Sequence, residues 1–314
     1  MNPSQRLTLA AADGYPIAAT LYPAGGDVHA HLIVAPATGV PQGYYRRFAE
    51  FAATRGYRVL TLDYRGIGLS KPATLKGFKM DYLDWGRLDL AAAVAHMDAT
   101  KEDALPLFMI GHSYGGHALG LLPNQDKIAG CYLFATGAGW HGWMPPLERI
   151  KVLAMWHLIG PLLTRWKGYL AWSKLGMGED LPLDVYRQWK GWCRFPHYFF
   201  DDPAMTGIRA SYDRVRMPVV AANTLDDLWA RPASRDAFMA GYRNASVTAV
   251  TIDSQRSGLG AIGHMGYFKA KAQPLWEDAL SWFQQQLLQG QVQHLDRSSA
   301  VSGNTDEAVS SCRI

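Results

Sequence analysis

No Cys-x-x-Cys pair occurs in these 314 residues, and the three cysteines, Cys131, Cys193 and Cys312, stand far apart. A zinc site or a disulfide framework needs thiols at defined spacings, so neither is indicated. There is no HExxH and no cluster of histidines with carboxylates, which leaves no metal site implied. Gly66-x-Gly68 lacks the third glycine of a dinucleotide loop, so no nicotinamide or flavin cofactor is expected. A run of about 18 apolar residues, the length that spans a bilayer, is also missing, and the start MNPSQRLTLAAADGYP lacks the charged-then-apolar order of a leader. Lys and Arg (31) barely exceed Asp and Glu (27), and no basic run is dense enough to track nucleic acid. These absences point to a soluble, reduced, cytoplasmic protein with no cofactor, no membrane span and no nucleic-acid partner.

What is present is a large apolar complement, 48% of the residues, against 18% charged. The length allows one large or two ordinary domains. Leu7 and Leu9 alternate with polar residues before Asp13-Gly14, and Ile17 to Tyr22 reads as the returning strand of a hairpin. His31 to Ala35 is a continuous apolar strand of the buried parallel kind. An amphipathic helix from Tyr44 to Thr54, a strand from Arg58 to Leu62, a helix from Trp85 to Ala99, and strands at Leu107 and at Gly130 to Ala135 follow. Alternation of strand and helix predicts an α/β fold with a mostly parallel, doubly wound sheet.

From about Ala138 to Asp213 the alternation stops. Short helical pieces broken by Pro and Gly replace it, and this stretch carries seven of the eleven tryptophans. Strand–helix alternation resumes at Pro218 to Ala222, Pro232 to Tyr242, Val247 to Ile252 and Pro274 to Gln289. The expected organisation is therefore a core of residues 1–137 and 214–290, a helical cap inserted at 138–213, and a polar, Ser-rich, disordered tail at 291–314.

The most informative stretch is LPLFMIGHSYGGHALGLL, Leu105 to Leu122. A short apolar strand runs into Gly111-His112-Ser113-Tyr114-Gly115 and then into a small-residue helix, the setting of a nucleophile elbow. A serine on so sharp a turn has strained dihedrals, and Gly111 and Gly115 give strand and helix room to approach. About 0.15 chance matches to this five-residue pattern are expected in a chain of this composition, so the motif alone is only suggestive.

Four further landmarks accompany it: ATGV at Ala37 to Val40, DYRGIGLS at Asp63 to Ser70, LDDLW at Leu225 to Trp229, and GHMGYF at Gly263 to Phe268. Together the arrangement resembles the α/β-hydrolase superfamily over most of residues 5 to 290, in its esterase, lipase and serine-peptidase-like branch with a helical cap. The resemblance implies the α/β-hydrolase fold and a triad in the order Ser, acid, His. Ser113 would be the nucleophile and His264 its base, since His264 alone lies between the last strand and the final helix. The acid should follow the strand at Pro218, which points to Asp226 or Asp227. The spacing to Pro232 favours Asp227, the other aspartate being a candidate turn cap, and Asp253 is a weaker alternative. The oxyanion hole would be built from the backbone N–H groups of Tyr114 and Val40, although Thr38-Gly39-Val40 stands where many relatives carry His-Gly-x.

His112 and His117 belong to the elbow and are expected to pack or to line the pocket. DYRGIGLS is read structurally, with Asp63 and Arg65 satisfying nearby backbone groups. The tryptophans of the cap are expected mainly to pack it onto the core, with a few rings facing a small-molecule substrate that has an apolar or aromatic portion. The resulting expectation is a serine hydrolase cleaving an ester-like bond through an acyl-enzyme. An acyltransferase using the same triad, or a non-catalytic binding protein on this fold, are the alternatives.

Overall fold

A computed structural model of the chain describes residues 3–101, 105–176 and 178–290. The tail expected at 291–314 lies outside the described residues. Eight strands form one sheet: β1 (Gln5–Ala10), β2 (Pro16–Tyr22), β3 (Ala30–Ala35), β4 (Tyr57–Leu62), β5 (Leu107–His112), β6 (Ile128–Phe134), β7 (Pro218–Thr224) and β8 (Ser246–Ile252). Their spatial order is β1-β2-β4-β3-β5-β6-β7-β8. β1 pairs antiparallel with β2, β2 antiparallel with β4, and every other pairing is parallel. Every residue of β3 and β5 is buried, as a parallel strand covered on both faces requires. By contrast β8, at the sheet edge, is exposed or half-buried along its whole length.

Helices flank the sheet. α1 (Arg46–Ala53) packs on β4 and β2, and α2 (Ala91–Thr100) packs on β1, β3 and β4. α3 (Tyr114–Leu119) packs on β3, β5 and β6. The segment between β6 and β7 holds α4 (Pro146–Ala154), α5 (Gly160–Lys167), α6 (Leu183–Trp192) and α7 (Ile208–Tyr212), with a single strand-like bridge between Leu170 and Leu181. This is the helical cap, inserted between two neighbouring strands. α8 (Pro232–Met239) then packs on β7 and β8. The chain divides into two compact units after Gln273. In the second, residues 274–290 are helical, with Leu275, Trp276, Ala279, Leu280 and Phe283 forming an apolar stripe at helical spacing.

This topology dictates where a site can form. The chain goes from β3 to β4 on one side and then crosses to β5 on the other, so the strand order reverses between β3 and β5. At such a switch point, connections leave the carboxyl ends of adjacent strands in opposite directions and open a crevice. The loop after β3 and the turn after β5, which carry Ala37–Val40 and Ser113, flank that crevice. Among the described residues, no helix is long and apolar enough to cross a membrane.

Candidate active site

Ser113 has φ 51° and ψ −105°, a conformation that side-chain-bearing residues rarely adopt. It is held there by its surroundings. Ser113 N–H donates to Phe134 C=O at 2.8 Å, and its own carbonyl accepts from Gly116 N–H at 3.0 Å and Thr136 Oγ1 at 3.1 Å. The glycines around it serve close approach. A Cβ on Gly115 would lie 2.3 Å from the Ala35 carbonyl oxygen, and one on Gly116 would lie 2.1 Å from Thr136 Oγ1. A Cβ on Gly111 would meet Leu133 at 2.8 Å. Any side chain at these positions would drive α3 off β3 and β6.

The other two triad candidates converge on this turn. His264 Nε2 lies 3.1 Å from Ser113 Oγ, and His264 Nδ1 lies 3.0 Å from both carboxylate oxygens of Asp227. Asp227 is buried at the carboxyl end of β7, and its Oδ1 accepts the N–H groups of Trp229 (3.0 Å) and Ala230 (2.9 Å). Burial pushes this carboxyl up, but the His264 charge, the His264 ring N–H and those two backbone donors together hold it below the ordinary carboxylate value. An ionised acid that fixes the imidazole through Nδ1 leaves Nε2 free to take a proton from a hydroxyl.

Asp226 and Asp253 do not reach His264. Asp226 Oδ2 instead accepts Ile262 N–H at 2.7 Å and Gly263 N–H at 3.0 Å, fastening the loop that delivers His264. Asp253 accepts Arg256 N–H in a local turn. His264 is held from a third direction by His112, whose Nε2 lies 2.9 Å from the His264 carbonyl oxygen. On its other side His112 Nδ1 meets Tyr45 Oη at 2.9 Å, and Tyr45 Oη accepts Ala37 N–H at 2.8 Å. Burial above all, with the nearby His264 charge adding to it, brings the His112 pKa down to about 3. His117 Nε2 donates to Gly137 C=O at 2.8 Å, and burial lowers its pKa to about 4.

The structure corrects the expectation for Val40. Its N–H donates to Ala37 C=O at 3.2 Å, closing a turn in which Gly39 has φ 70°. That turn spends the Val40 donor. Thr38 N–H, two residues earlier in the same loop, has no hydrogen-bond partner among the described residues. Tyr114 N–H begins α3 and so has no helical acceptor. No pattern of residue types signals which N–H of a loop is free; that depends on the turn the loop adopts.

Ser113 and His264 open onto a cavity of about 460 Å³, walled by Tyr44, Trp172, Trp189 and Trp229 and floored by Thr38. A second recess of about 30 Å³ reaches Ser113 from the side of His117 and Gly137. Of the seven tryptophans in the insertion, Trp172 and Trp189 face the large cavity. Trp156 and Trp192 are buried in packing, and Trp166 is exposed. The third ring of the wall, Trp229, comes from the LDDLW segment. Asp63 and Arg65 act structurally: Asp63 accepts Gln42 N–H at 2.7 Å and Leu69 N–H at 3.0 Å, and Arg65 pairs with Asp89 at 2.7 Å and Asp13 at 2.6 Å. Among the described residues, no group of three or more His, Cys, Asp or Glu is placed to hold a metal ion.

Comparison with known proteins identifies a family and a fold. Residues 26–183 match the hydrolase family described as serine aminopeptidase, S33. No curated protein matches the chain in sequence. Among solved structures, a monoglyceride lipase of Saccharomyces cerevisiae superposes with a TM-score of 0.60 at 17% identity, over 90% of this chain and 94% of that one. An esterase of Pyrococcus furiosus gives 0.58 at 13% identity, over 91% and 93%. An esterase of Thermogutta terrifontis gives 0.57 at 15% identity, over 90% and 99%. At these identities the likeness is one of fold.

Proposed function

This chain belongs to the serine aminopeptidase S33 family of α/β-hydrolases, and from that premise we propose that it is a serine esterase working through an acyl-enzyme on Ser113. The observation that carries this reading is the unbroken chain of contacts from Ser113 Oγ through His264 to buried Asp227, at 3.1 and 3.0 Å. Ser113 Oγ attacks the ester carbonyl as His264 Nε2 takes its proton. The oxyanion is received by the N–H groups of Tyr114 and Thr38, the latter in place of Val40. His264 then gives its proton to the departing alkoxide oxygen, and the C–O bond to the alcohol breaks. In the second half, His264 draws a proton from water, whose oxygen attacks the acyl carbon, and Ser113 leaves with its proton restored. Asp227 keeps the imidazole oriented and balances the imidazolium without taking a proton.

Cavity shape bears on the substrate. A 460 Å³ space walled by indoles suits an apolar or aromatic portion. The smaller recess beside Ser113, lined by His117, Ala135 and Gly137, suits a shorter opposite end of the ester. The test is a panel of aryl and alkyl esters offered to the protein and to Ser113→Ala. Turnover should fall by about 10⁴-fold or more in the variant, and a fluorophosphonate should label Ser113 in the parent only. An unchanged rate in Ser113→Ala would end this mechanism.

A further inference from the structure

On the cap, α4, a π-turn at Met155–Ile159 and α5 run on as one helical stretch from Pro146 to Lys167, about 33 Å long. Five large apolar side chains on it face solvent: Leu147 (67% exposed), Ile150 (64%), Leu158 (60%), Leu162 (62%) and Trp166 (67%). A lone exposed leucine is ordinary, whereas a contiguous stripe marks an interaction surface. On an uninterrupted α-helix these five would be spread over roughly 160° of the circumference. The extra residue of the π-turn rotates the second half back and gathers them into about 80°.

The net charge beside the stripe is positive. Arg149, Lys151 and Arg165 are exposed beside it, as is His157. Lys167 Nζ lies 4.0 Å from the centre of the Trp166 ring. The one acid on the stretch, Glu148, is 15% exposed, accepting Trp229 Nε1–H at 3.2 Å through Oε1 and pairing with Lys151 Nζ at 3.3 Å through Oε2. That pair offsets Lys151 and leaves Arg149, Arg165 and Lys167 as the net charge beside the stripe, and an apolar stripe with a cationic rim is the composition of a helix that lies in a membrane interface.

We propose that this face of the cap docks on an anionic lipid surface. A second copy of the chain fits it poorly, because a two-fold contact would set Arg149 and Arg165 against their own like charges. The inner side of the same stretch leads to the active-site cavity. Trp156 packs 5.1 Å from Trp189 and 6.5 Å from Trp229, the rings that wall it. Docking therefore sets the cavity wall about one helix diameter, roughly 10 Å, from the surface that holds apolar esters. That last consequence rests on the esterase reading; the docking itself does not.

The experiment is cosedimentation of the full chain with equimolar phosphatidylglycerol–phosphatidylcholine vesicles and with phosphatidylcholine alone, at low and high salt. Binding at least tenfold tighter to the anionic vesicles, weakened by salt and accompanied by a blue shift of tryptophan emission, is the expected result. Leu158→Glu/Leu162→Glu should weaken binding at least tenfold while melting like the parent, since both side chains are in solvent. Absence of binding to anionic vesicles at low salt, or equal binding by the double variant, would overturn the proposal. So would a dimer in light scattering that the double variant abolishes. No arm measures turnover, so failure of the esterase reading and failure of docking are told apart.

Discussion

Replacing His112 by Phe probes how the site is held together. The proton positions follow from chemistry. The His264 carbonyl can only accept, so His112 Nε2 carries the hydrogen across their 2.9 Å contact. Nδ1 then offers a lone pair, Tyr45 O–H donates to it at 2.9 Å, and the Tyr45 oxygen is left to accept Ala37 N–H at 2.8 Å. His112 thus positions two parts of the site at once: the backbone of His264 and the loop that begins at Ala37. A pKa near 3 keeps the ring neutral, in the one tautomer this chain allows. Phe preserves the ring but leaves Tyr45 O–H and His264 C=O unpartnered. At about 1–3 kcal/mol for each buried group left unsatisfied, roughly 2–6 kcal/mol of stability is lost, out of a total of about 5–15. A freed loop that lets His264 drift by about 1 Å costs roughly 100-fold in rate. Gln at 112 can donate with its amide N and accept with its carbonyl, and should restore part of both. Urea midpoints and kcat/KM for His112→Phe, His112→Gln, Tyr45→Phe and the Phe/Phe double variant decide the matter. Residues in one chain should couple by at least about 0.5 kcal/mol. Strict additivity, or a His112→Phe rate within threefold of the parent, would refute the relay.

Gly115→Ala should push α3 off β3, because the new Cβ would sit 2.3 Å from the Ala35 carbonyl oxygen. A melting temperature lowered by a loss of about 1–3 kcal/mol, and slower fluorophosphonate labelling, are expected. Asp226→Ala removes the acceptor for Ile262 and Gly263 N–H. It should reduce kcat about tenfold with little change in KM, and Asp226→Asn should recover much of the loss. Acid should destabilise the fold. His112 and His117, with pKa values near 3 and 4, stay neutral when folded but take up protons in the unfolded chain as pH falls below 6.5. Asp89, raised to about 6 by burial, binds a proton in the folded state and offsets one of them. Burial lowers His31 to about 4 as well, so the net excess of two protons in the unfolded chain removes about 2.8 kcal/mol per pH unit between pH 6 and 4. Stability measured by urea unfolding that is level or rising towards pH 4 would contradict this.

Much was legible without coordinates because it rests on local physics. Near-continuous apolar runs at His31 and Leu107 imply strands buried on both faces, and two glycines flanking Ser113 imply a turn too tight for side chains. The loss of alternation after Ala138 marks the inserted cap. Choosing between Asp226 and Asp227 was another matter, since adjacent residues on a turn point in different directions and only the loop packed above them shows which one meets His264. The same holds for the oxyanion donors, where the turn closed by Val40 N–H takes that group out of play and leaves Thr38 N–H open. Tyr45 carried no signal at all: its hydroxyl matters because the turn that leads into α1 brings it to His112, 67 positions away. Sequence determined the fold and the kinds of group in the site, because burial pattern and backbone sterics act between near neighbours. Tertiary structure alone decided which atoms face each other, because hydrogen bonds have direction, and direction is set by how distant segments pack.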